Sequence, residues 1–194
     1  MIVHLNGWPG VGKQTIGRLV AETLAARFVH NHLLHDVAIV CAGFDDPGRW
    51  PLYEVVRSAA YAALTQHRPG EVLVMTNALV KASRRGEEAW AHVVDLAMTR
   101  ASPLVPVVLD AEPDELCRRV ESPERPGRKL ADAQQLRELL AAGTLQRPDV
   151  AELIELDVTR LSAEDAAREL VARLQALRQS GDLRPASHAH LRMR

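Results

Sequence analysis

The chain has 194 residues, enough for one compact domain with a substantial core and too few to favour two independent domains. Hydrophobic residues make up 47% and charged residues 25% of the sequence, which excludes a disordered or fibrous chain. A formal net charge of -1 also excludes a strong overall attraction to nucleic acid or to an anionic membrane.

Hydropathy and cysteine spacing favour a cytoplasmic protein. No apolar run approaches the roughly 20 residues of a membrane span, and we expect neither a signal peptide nor a membrane partner. Cys41 and Cys117 lie far apart, without the spacing of a metal knuckle or a redox pair. We therefore expect both thiols to be reduced and structural.

Strand-like and helix-like segments alternate along the chain. The predicted strands are 2–6, 28–30, 71–76, 104–109 and 153–157. The predicted helices are 13–27, 33–42, 50–67, 87–100, 113–120, one from 132, and one from 163 to about 179. This order implies right-handed crossovers and an α/β fold, with a five-stranded, mostly parallel sheet and helices on both faces. We predict a single domain over 1–180 and a flexible tail over 181–194, with ligands at the carboxyl ends of the strands.

A glycine-rich segment, Gly-Trp-Pro-Gly-Val-Gly-Lys-Gln-Thr at 7–15, joins the first strand to the first helix. It fills the pattern Gly-x-x-x-x-Gly-Lys, in which residues without Cβ let backbone N–H groups turn inward around phosphate oxygens. The helix that follows offers its positive dipole end, and Lys13 reaches the β and γ phosphates. The predicted nucleotide-binding residues are Gly7, Pro9, Gly10, Val11, Gly12, Lys13, Gln14 and Thr15.

Gln14 stands where a Ser or Thr hydroxyl usually coordinates Mg²⁺ in such loops. Its amide oxygen is able to bind the ion directly or through water, because magnesium keeps several of its waters in protein sites. We therefore predict ATP and Mg²⁺ as cofactors, with Gln14 as the candidate magnesium ligand and with a weaker dependence on the metal than usual.

The chain resembles the small P-loop kinases, a superfamily that includes shikimate kinase and chloramphenicol phosphotransferase, and it is most similar to the tunicamycin-resistance proteins. The features that carry this resemblance are the phosphate loop, the order of the elements, the Arg-rich segment 118–129 and the ending Leu156-Asp157-Val158-Thr159. The resemblance covers about residues 1–178. It implies a three-layer P-loop NTPase fold, with a substrate-binding helical region at about 31–67 and a lid at about 118–131.

In these families the second strand ends in an Asp that contacts the acceptor hydroxyl, whereas here it ends His30-Asn31-His32. Asn31 is a candidate for orienting the hydroxyl, and His32 for accepting its proton, since histidine titrates near neutrality. Asp36 is the next acidic residue and a further candidate substrate contact. His30 and His32 would lie on one side of an extended chain with His35 nearby, so packing or capping, and then a metal site, are the alternatives.

Two more positions are candidate substrate contacts through the resemblance. The segment 44–57 resembles the substrate-binding region of shikimate kinase, which makes Arg57 a candidate acceptor ligand, with a solvated helix face as the alternative. Thr76 and Asn77 end the third strand, where these kinases hold magnesium-bound water or substrate, and Asn77 is the predicted contact. Neither residue is the carboxylate that a Walker B strand carries.

The Arg-rich segment carries the candidate cations for the transition state. Phosphoryl transfer needs cationic donors at the equatorial oxygens and at the leaving oxygen. The resemblance favours Arg119, and Arg128 is favoured because Gly127 frees the backbone beside it. A basic loop that only keeps the protein in solution is the alternative. The five cations of this segment are Arg118, Arg119, Arg125, Arg128 and Lys129.

The sequence therefore predicts an ATP-dependent phosphotransferase acting on a hydroxyl of a small molecule, either a metabolite or an antibiotic. Its candidate catalytic residues are Lys13, Arg119, Arg128 and His32. The alternative is a nucleotide-binding protein that sequesters a ligand without phosphorylating it, which the missing acidic base and Gln14 favour. The non-acidic end of the third strand disfavours a regulatory ATPase, and the charge balance disfavours a nucleic-acid partner. We expect a monomer or a homodimer.

Overall fold

The computed structural model describes residues 1–67, 69–122 and 130–187, in which strands and helices alternate. The strands are β1 (Ile2–Gly7), β2 (Arg27–His30), β3 (Leu73–Asn77), β4 (Leu104–Asp110) and β5 (Ile154–Asp157). The helices are α1 (Lys13–Thr23), α2 (Asn31–Ala42), α3 (Arg49–His67), α4 (Arg84–Thr99), α5 (Pro113–Val120), α6 (Ala133–Ala142) and α7 (Ala163–Ser180).

The five strands form one sheet in the order β2-β3-β1-β4-β5, and every neighbouring pair is parallel. The predicted five-stranded α/β architecture is confirmed. In the register, Asn6 pairs with Asn77 and His30 pairs with Thr76, so β1, β2 and β3 end at the same edge. The cavity described in the next subsection opens at that edge.

Helices cover both faces of the sheet, as the alternation of buried side chains along β1 requires. Ile2 belongs to a buried cluster with Trp90 of α4, whereas Val3 and Leu5 belong to a larger cluster with Leu170 of α7. All three β1 residues have no exposed surface. Helices on both faces of the sheet, as predicted, are therefore confirmed.

The first helix is shorter than predicted. α1 ends at Thr23 rather than at residue 27, because Ala25 adopts a φ of 48° and the N–H of Ala26 donates to the carbonyl of Ala21 at 2.7 Å. The chain then turns into β2, and the N–H of Arg27 donates to the carbonyl of Val72 at 2.9 Å. The helical spacing of the apolar residues gave no sign of this turn, since no glycine marks it.

The extended conformation expected through residues 30–32 is wrong. Asn31 is the first residue of α2, and its N–H donates to Oγ1 of Thr76 at 3.4 Å instead of continuing the strand. His30 therefore lies on β2, whereas His32 lies in the first turn of a helix. Their ring centroids are 6.3 Å apart.

Two predicted segments fall partly outside the described residues, namely 123–129 of the lid and 188–194 of the tail. α7 ends at Ser180, and Gly181 turns the chain with a φ of 75°. The N–H of Ala186 then donates to the carbonyl of Ser102 at 3.1 Å, so the first part of the predicted tail contacts the core. Among the described helices, none combines the length and apolar composition needed to span a bilayer.

Candidate functional site

The glycine-rich loop curls between the end of β1 and the start of α1. Gly10 and Gly12 have φ angles of 91° and 95°, which side chains with a Cβ rarely adopt. A Cβ on Gly10 would also lie 2.8 Å from the carbonyl oxygen of Leu116. Nζ of Lys13 donates to the carbonyls of Gly7 at 2.6 Å and Trp8 at 2.8 Å, so the lysine side chain folds back over the loop.

One cavity of about 920 Å³ opens beside this loop at the carboxyl edge of the sheet. Its volume falls in the range of about 300–1,000 Å³ that is typical of small-molecule and cofactor sites. Loop residues line one side, and side chains from α2, α3, α4 and the end of β3 line the other. The predicted site residues in the lining are Pro9, Gly10, Gly12, Lys13, Gln14, Thr15, Asn31, His32, Arg57, Asn77 and Arg119.

The other predicted site residues lie elsewhere. Gly7 and Val11 are buried beneath the loop, and a Cβ on Gly7 would lie 2.8 Å from Cγ1 of Val11. Asp36 is exposed on α2 and does not line the cavity, so the structure does not bring it to the site. Arg128 lies outside the described residues.

The loop position predicted to bind magnesium carries an amide where a hydroxyl is usual. Nε2 of Gln14 lies 3.3 Å from Nε2 of His30, and Gln14 also lines the cavity. Thr76 and Asn77 add a hydroxyl and an amide at the end of β3 but no carboxylate. Within the described ranges, no three His, Cys, Asp or Glu side chains are grouped as metal ligands. Because Mg²⁺ prefers oxygen ligands, these residues fit an ion carried by nucleotide phosphates and touched by one amide oxygen.

Asn31 is held by a chain of polar contacts that begins on α3. The guanidinium of Arg57, only 3% exposed, forms an ion pair with Glu54 and lies 5.3 Å from the Tyr53 ring centroid. Burial raises the pKa of Tyr53, so its hydroxyl stays protonated. That hydroxyl donates to Oδ1 of Asn31 at 2.8 Å. Arg57 therefore lies in the cavity wall and not on a solvated helix face.

Asn77 is held from below by a buried histidine of β1. Nε2 of His4 lies 3.0 Å from Oδ1 of Asn77, and the Trp90 ring meets the imidazole edge-on at 5.4 Å between centroids. Burial lowers the pKa of His4 to about 4, so the imidazole is neutral at physiological pH. An amide oxygen only accepts hydrogen bonds, so His4 carries its proton on Nε2 and donates it to Asn77.

Aromatic rings on α2 and α3 form the outer wall of the cavity. The His35 imidazole stacks on Tyr53 with centroids 3.9 Å apart, and Trp50 meets both rings edge-on. The Arg85 guanidinium lies 4.0 Å from the Trp50 ring centroid, which links the start of α4 to the start of α3. Motifs in the sequence did not single out Trp50, Tyr53, Glu54 or Arg85 as cavity residues. Trp50 and Tyr53, spaced with Arg57 at three to four residues, nevertheless mark one face of α3.

Arg119 has polar partners on its own helix, α5, and in the segment after β5. Its Nε donates to Glu115 at 2.5 Å, and one terminal nitrogen donates to the carbonyls of Val158 at 2.8 Å and Thr159 at 3.2 Å. Hydrogen bonds from Arg118 and then Arg119 lower the pKa of Glu115 to about 2. In this conformation Arg119 connects α5 to the segment after β5 while it lines the cavity.

No protein-family model matches the chain, and no curated protein matches it in sequence. Solved structures do match it. An unliganded sugar kinase from a Janibacter species is 23% identical with a TM-score of 0.59, over 96% of this chain and 98% of that one. A gluconokinase from Sinorhizobium meliloti is 21% identical with a TM-score of 0.61, over 93% of this chain and 94% of that one.

A tunicamycin resistance protein from Deinococcus radiodurans is 16% identical with a TM-score of 0.61, over 89% of this chain and 94% of that one. Shikimate kinases match as well. The matched chains are covered almost completely, so the likeness extends over the whole sheet and its helices. The chain has the fold of the small P-loop kinases, as the resemblance in its sequence implied.

Proposed function

We propose that this protein transfers the γ-phosphoryl group of ATP to a hydroxyl of a small molecule. The observation that carries the proposal is that one cavity joins the phosphate loop to the polar side chains at the ends of β2 and β3. A nucleotide bound at Lys13 would direct its γ-phosphate toward that region, and in-line transfer requires this adjacency. Sugar kinase, gluconokinase and shikimate kinase among the similar structures support a small-molecule acceptor.

Each cavity residue has a role in this proposal. Lys13 exchanges the loop carbonyls for the β and γ phosphates, and Arg119, with Arg128 of the lid, compensates the charge of the transferring group. The acceptor oxygen forms a bond to γ-phosphorus while the bridging bond to the β-phosphate breaks. His32 takes the proton of the hydroxyl. Asn31, Arg57 and Asn77 hold the acceptor.

Magnesium enters this scheme together with the nucleotide. Bound to the phosphates, it would neutralise part of their charge, and the amide oxygen of Gln14 is the candidate protein ligand. Gln14 also lies beside His30, so its amide has a fixed neighbour on the protein side of the cavity.

Sequestration of a ligand without transfer is the second candidate. It is favoured because the position of the acidic base holds Asn31, whose oxygen already accepts a hydrogen bond from Tyr53. An amide does not take up a proton near neutral pH. The presence of a tunicamycin resistance protein among the similar structures supports the same reading.

The two candidates are separated by incubating the protein with ATP, Mg²⁺ and a panel of sugars, sugar acids and hydroxylated antibiotics, followed by mass spectrometry of each compound. Phosphoryl transfer predicts a product heavier by one phosphate and an equal amount of ADP. Lys13→Ala is the negative variant, and Lys81→Ala is its control, because Lys81 is exposed and does not line the cavity. A ligand that binds in the presence of ATP yet remains unmodified would instead support sequestration.

A further inference from the structure

The two amides at the strand ends have the same hydrogen-bond arrangement. Asn31 follows β2 directly, and Asn77 is the last residue of β3, its neighbour in the sheet. Both side chains line the cavity, and both accept a hydrogen bond through Oδ1. His4 supplies the donor for Asn77, and the Tyr53 hydroxyl supplies it for Asn31.

The direction of each bond is determined by the two groups that it joins. The Tyr53 hydroxyl meets the Asn31 amide oxygen, which only accepts, so the Tyr53 O–H donates to Asn31. His4 is fully buried and neutral, and its single N–H is directed at Asn77. In both amides the oxygen is therefore held by a protein donor, which fixes the orientation of the amide group.

The amide nitrogens are left for the cavity. Within the described part of the chain, neither Asn31 Nδ2 nor Asn77 Nδ2 has a hydrogen-bond partner, and neither is among the buried polar atoms that lack one. An amide nitrogen offers two N–H donors and accepts nothing. At the strand ends the two amides therefore present N–H donors beside the Thr76 hydroxyl, where the proposed acceptor would meet the glycine-rich loop.

We propose that His4 and Tyr53 are positioning residues that hold Asn77 and Asn31 as paired N–H donors, so that the acceptor subsite binds an oxygen through its lone pairs and rejects an ammonium group. The preferred occupant is an electron-rich oxygen, such as a carboxylate, a phosphate oxygen or a hydroxyl that is losing its proton. This inference rests on the proposed function only in identifying the cavity region as the acceptor subsite. The direction of the hydrogen bonds does not depend on that function.

The arrangement also limits where the proton of a hydroxyl acceptor can go. Neither amide can take it, because an amide group is not basic near neutral pH. The donors stabilise the negative charge that develops on the oxygen, while the proton leaves toward another cavity residue, for which His32 is the candidate. Asn31 and Asn77 thus bind the reacting oxygen without acting as bases.

The test uses the full-length protein, labelled with ¹⁵N, saturated with ADP, and titrated with three compounds of similar size. Glycerate carries a carboxylate, glycerol is neutral, and serinol carries an ammonium group. We expect glycerate to shift the side-chain NH₂ signals of Asn31 and Asn77 and to bind at least about tenfold more tightly than serinol. Serinol binding as tightly as glycerate, or amide signals that respond to neither compound, overturns the proposal. Replacing glycerate by glycerol phosphate distinguishes a carboxylate from a phosphate as the preferred anion.

Substitutions distinguish binding through the two amides from a nonspecific attraction by the positive charge of the cavity. Asn77→Asp replaces N–H donors by an anionic acceptor and should reverse the preference toward serinol, whereas a nonspecific attraction would leave glycerate the tighter ligand. His4→Phe keeps a ring beside Trp90 but removes the donor, and we expect about tenfold weaker glycerate binding. His4→Gln keeps an N–H and should restore most of that loss, which a purely structural role for His4 does not predict.

Tyr53→Phe tests the other amide if the His4 variants do not fold, with Tyr61→Phe on the same helix as its control because Tyr61 does not line the cavity. The tautomer of His4 is read directly from its ¹⁵N spectrum, and a proton on Nδ1 instead of Nε2 overturns the proposal. If glycerate shifts the amides but no compound is ever phosphorylated, the proposed function fails and this inference stands. If a compound is phosphorylated but His4 carries its proton on Nδ1, the proposed function stands and this inference fails.

Discussion

The guanidinium of Arg119 donates to the carbonyl oxygen of Val158 at 2.8 Å, which connects α5 to the segment that follows β5. Val158 is 1% exposed, so its carbonyl loses a hydrogen-bond donor at a buried position when Arg119 is removed. We expect Arg119→Ala to lower the free energy of unfolding by about 1–3 kcal/mol, measured by urea denaturation. Arg118→Ala is the matched control, because Arg118 shares Glu115 but is largely exposed, and its loss should cost under about 1 kcal/mol. Equal losses in the two variants would contradict this role of Arg119.

The stability of the protein should fall in mild acid because two histidines are held neutral. Burial is the largest cause that lowers the pKa of His35, to about 4, and burial also lowers the pKa of His4 to about 4. In the unfolded chain these histidines bind protons near pH 6.5, whereas in the folded protein they stay neutral down to about pH 4. The unfolded state therefore gains stability as the pH falls from 6.5 to 4, and the contribution of the neutral histidines to folding, complete above pH 6.5, is lost over that range. His35→Phe, which keeps a ring against Tyr53, should lose less stability between pH 7 and pH 5 in chemical denaturation. An unchanged pH dependence would contradict the assignment for His35.

Gly10 should tolerate no side chain. Gly10→Ala places a Cβ 2.8 Å from the Leu116 carbonyl in a backbone region that costs about 1–2 kcal/mol for other residues. We expect a loss of about 2 kcal/mol or more in the free energy of unfolding and a large loss of ADP affinity. Gly70→Ala serves as the control, since no atom lies within 4 Å of the added Cβ, and its effect should stay within about 0.5 kcal/mol. Wild-type ADP binding by Gly10→Ala would show that the loop shape is not required.

Mg²⁺ should increase nucleotide affinity less in this protein than in a variant whose loop carries a hydroxyl at residue 14. Calorimetric titration of ATP with and without EDTA should show a modest gain in affinity from Mg²⁺ for the wild type and a larger gain for Gln14→Ser, which restores the hydroxyl. Binding without the metal should be similar in both proteins. No effect of Mg²⁺ on the wild-type affinity would remove Gln14 as a magnesium ligand.

Local patterns predicted the scaffold of this site, because the phosphate loop, the strand before it and the helix after it are adjacent in sequence. The alternation of strands and helices likewise implied the parallel sheet, since parallel strands need crossover helices. The end of α1 was not predictable in the same way. Ala25 takes a positive φ without glycine or asparagine, the residues that usually announce such a turn.

The rest of the cavity depends on contacts that sequence spacing does not reveal. His4 lies within an apolar strand and meets Asn77 only because β1 and β3 are neighbours. Tyr53 reaches Asn31 only because α2 and α3 pack side by side, and Arg85 reaches Trp50 from the start of α4. Asp36, chosen as the next carboxylate along the chain, lies on the exposed side of its helix. Residue type alone did not distinguish the side chains that contribute to the cavity from Asp36, which does not.

The strand order separates the two halves of the cavity along the chain. β1, which carries the phosphate loop, is central; Arg119 follows β4 on one side, while Asn31, Tyr53 and Arg57 all come from the single connection between β2 and β3 on the other. Most of the proposed acceptor contacts therefore lie in one contiguous stretch of sequence, whereas His4 and Asn77 come from β1 and β3. We expect a chimaera that exchanges residues 31–67 to change acceptor binding while the glycine-rich loop and α5 stay the same.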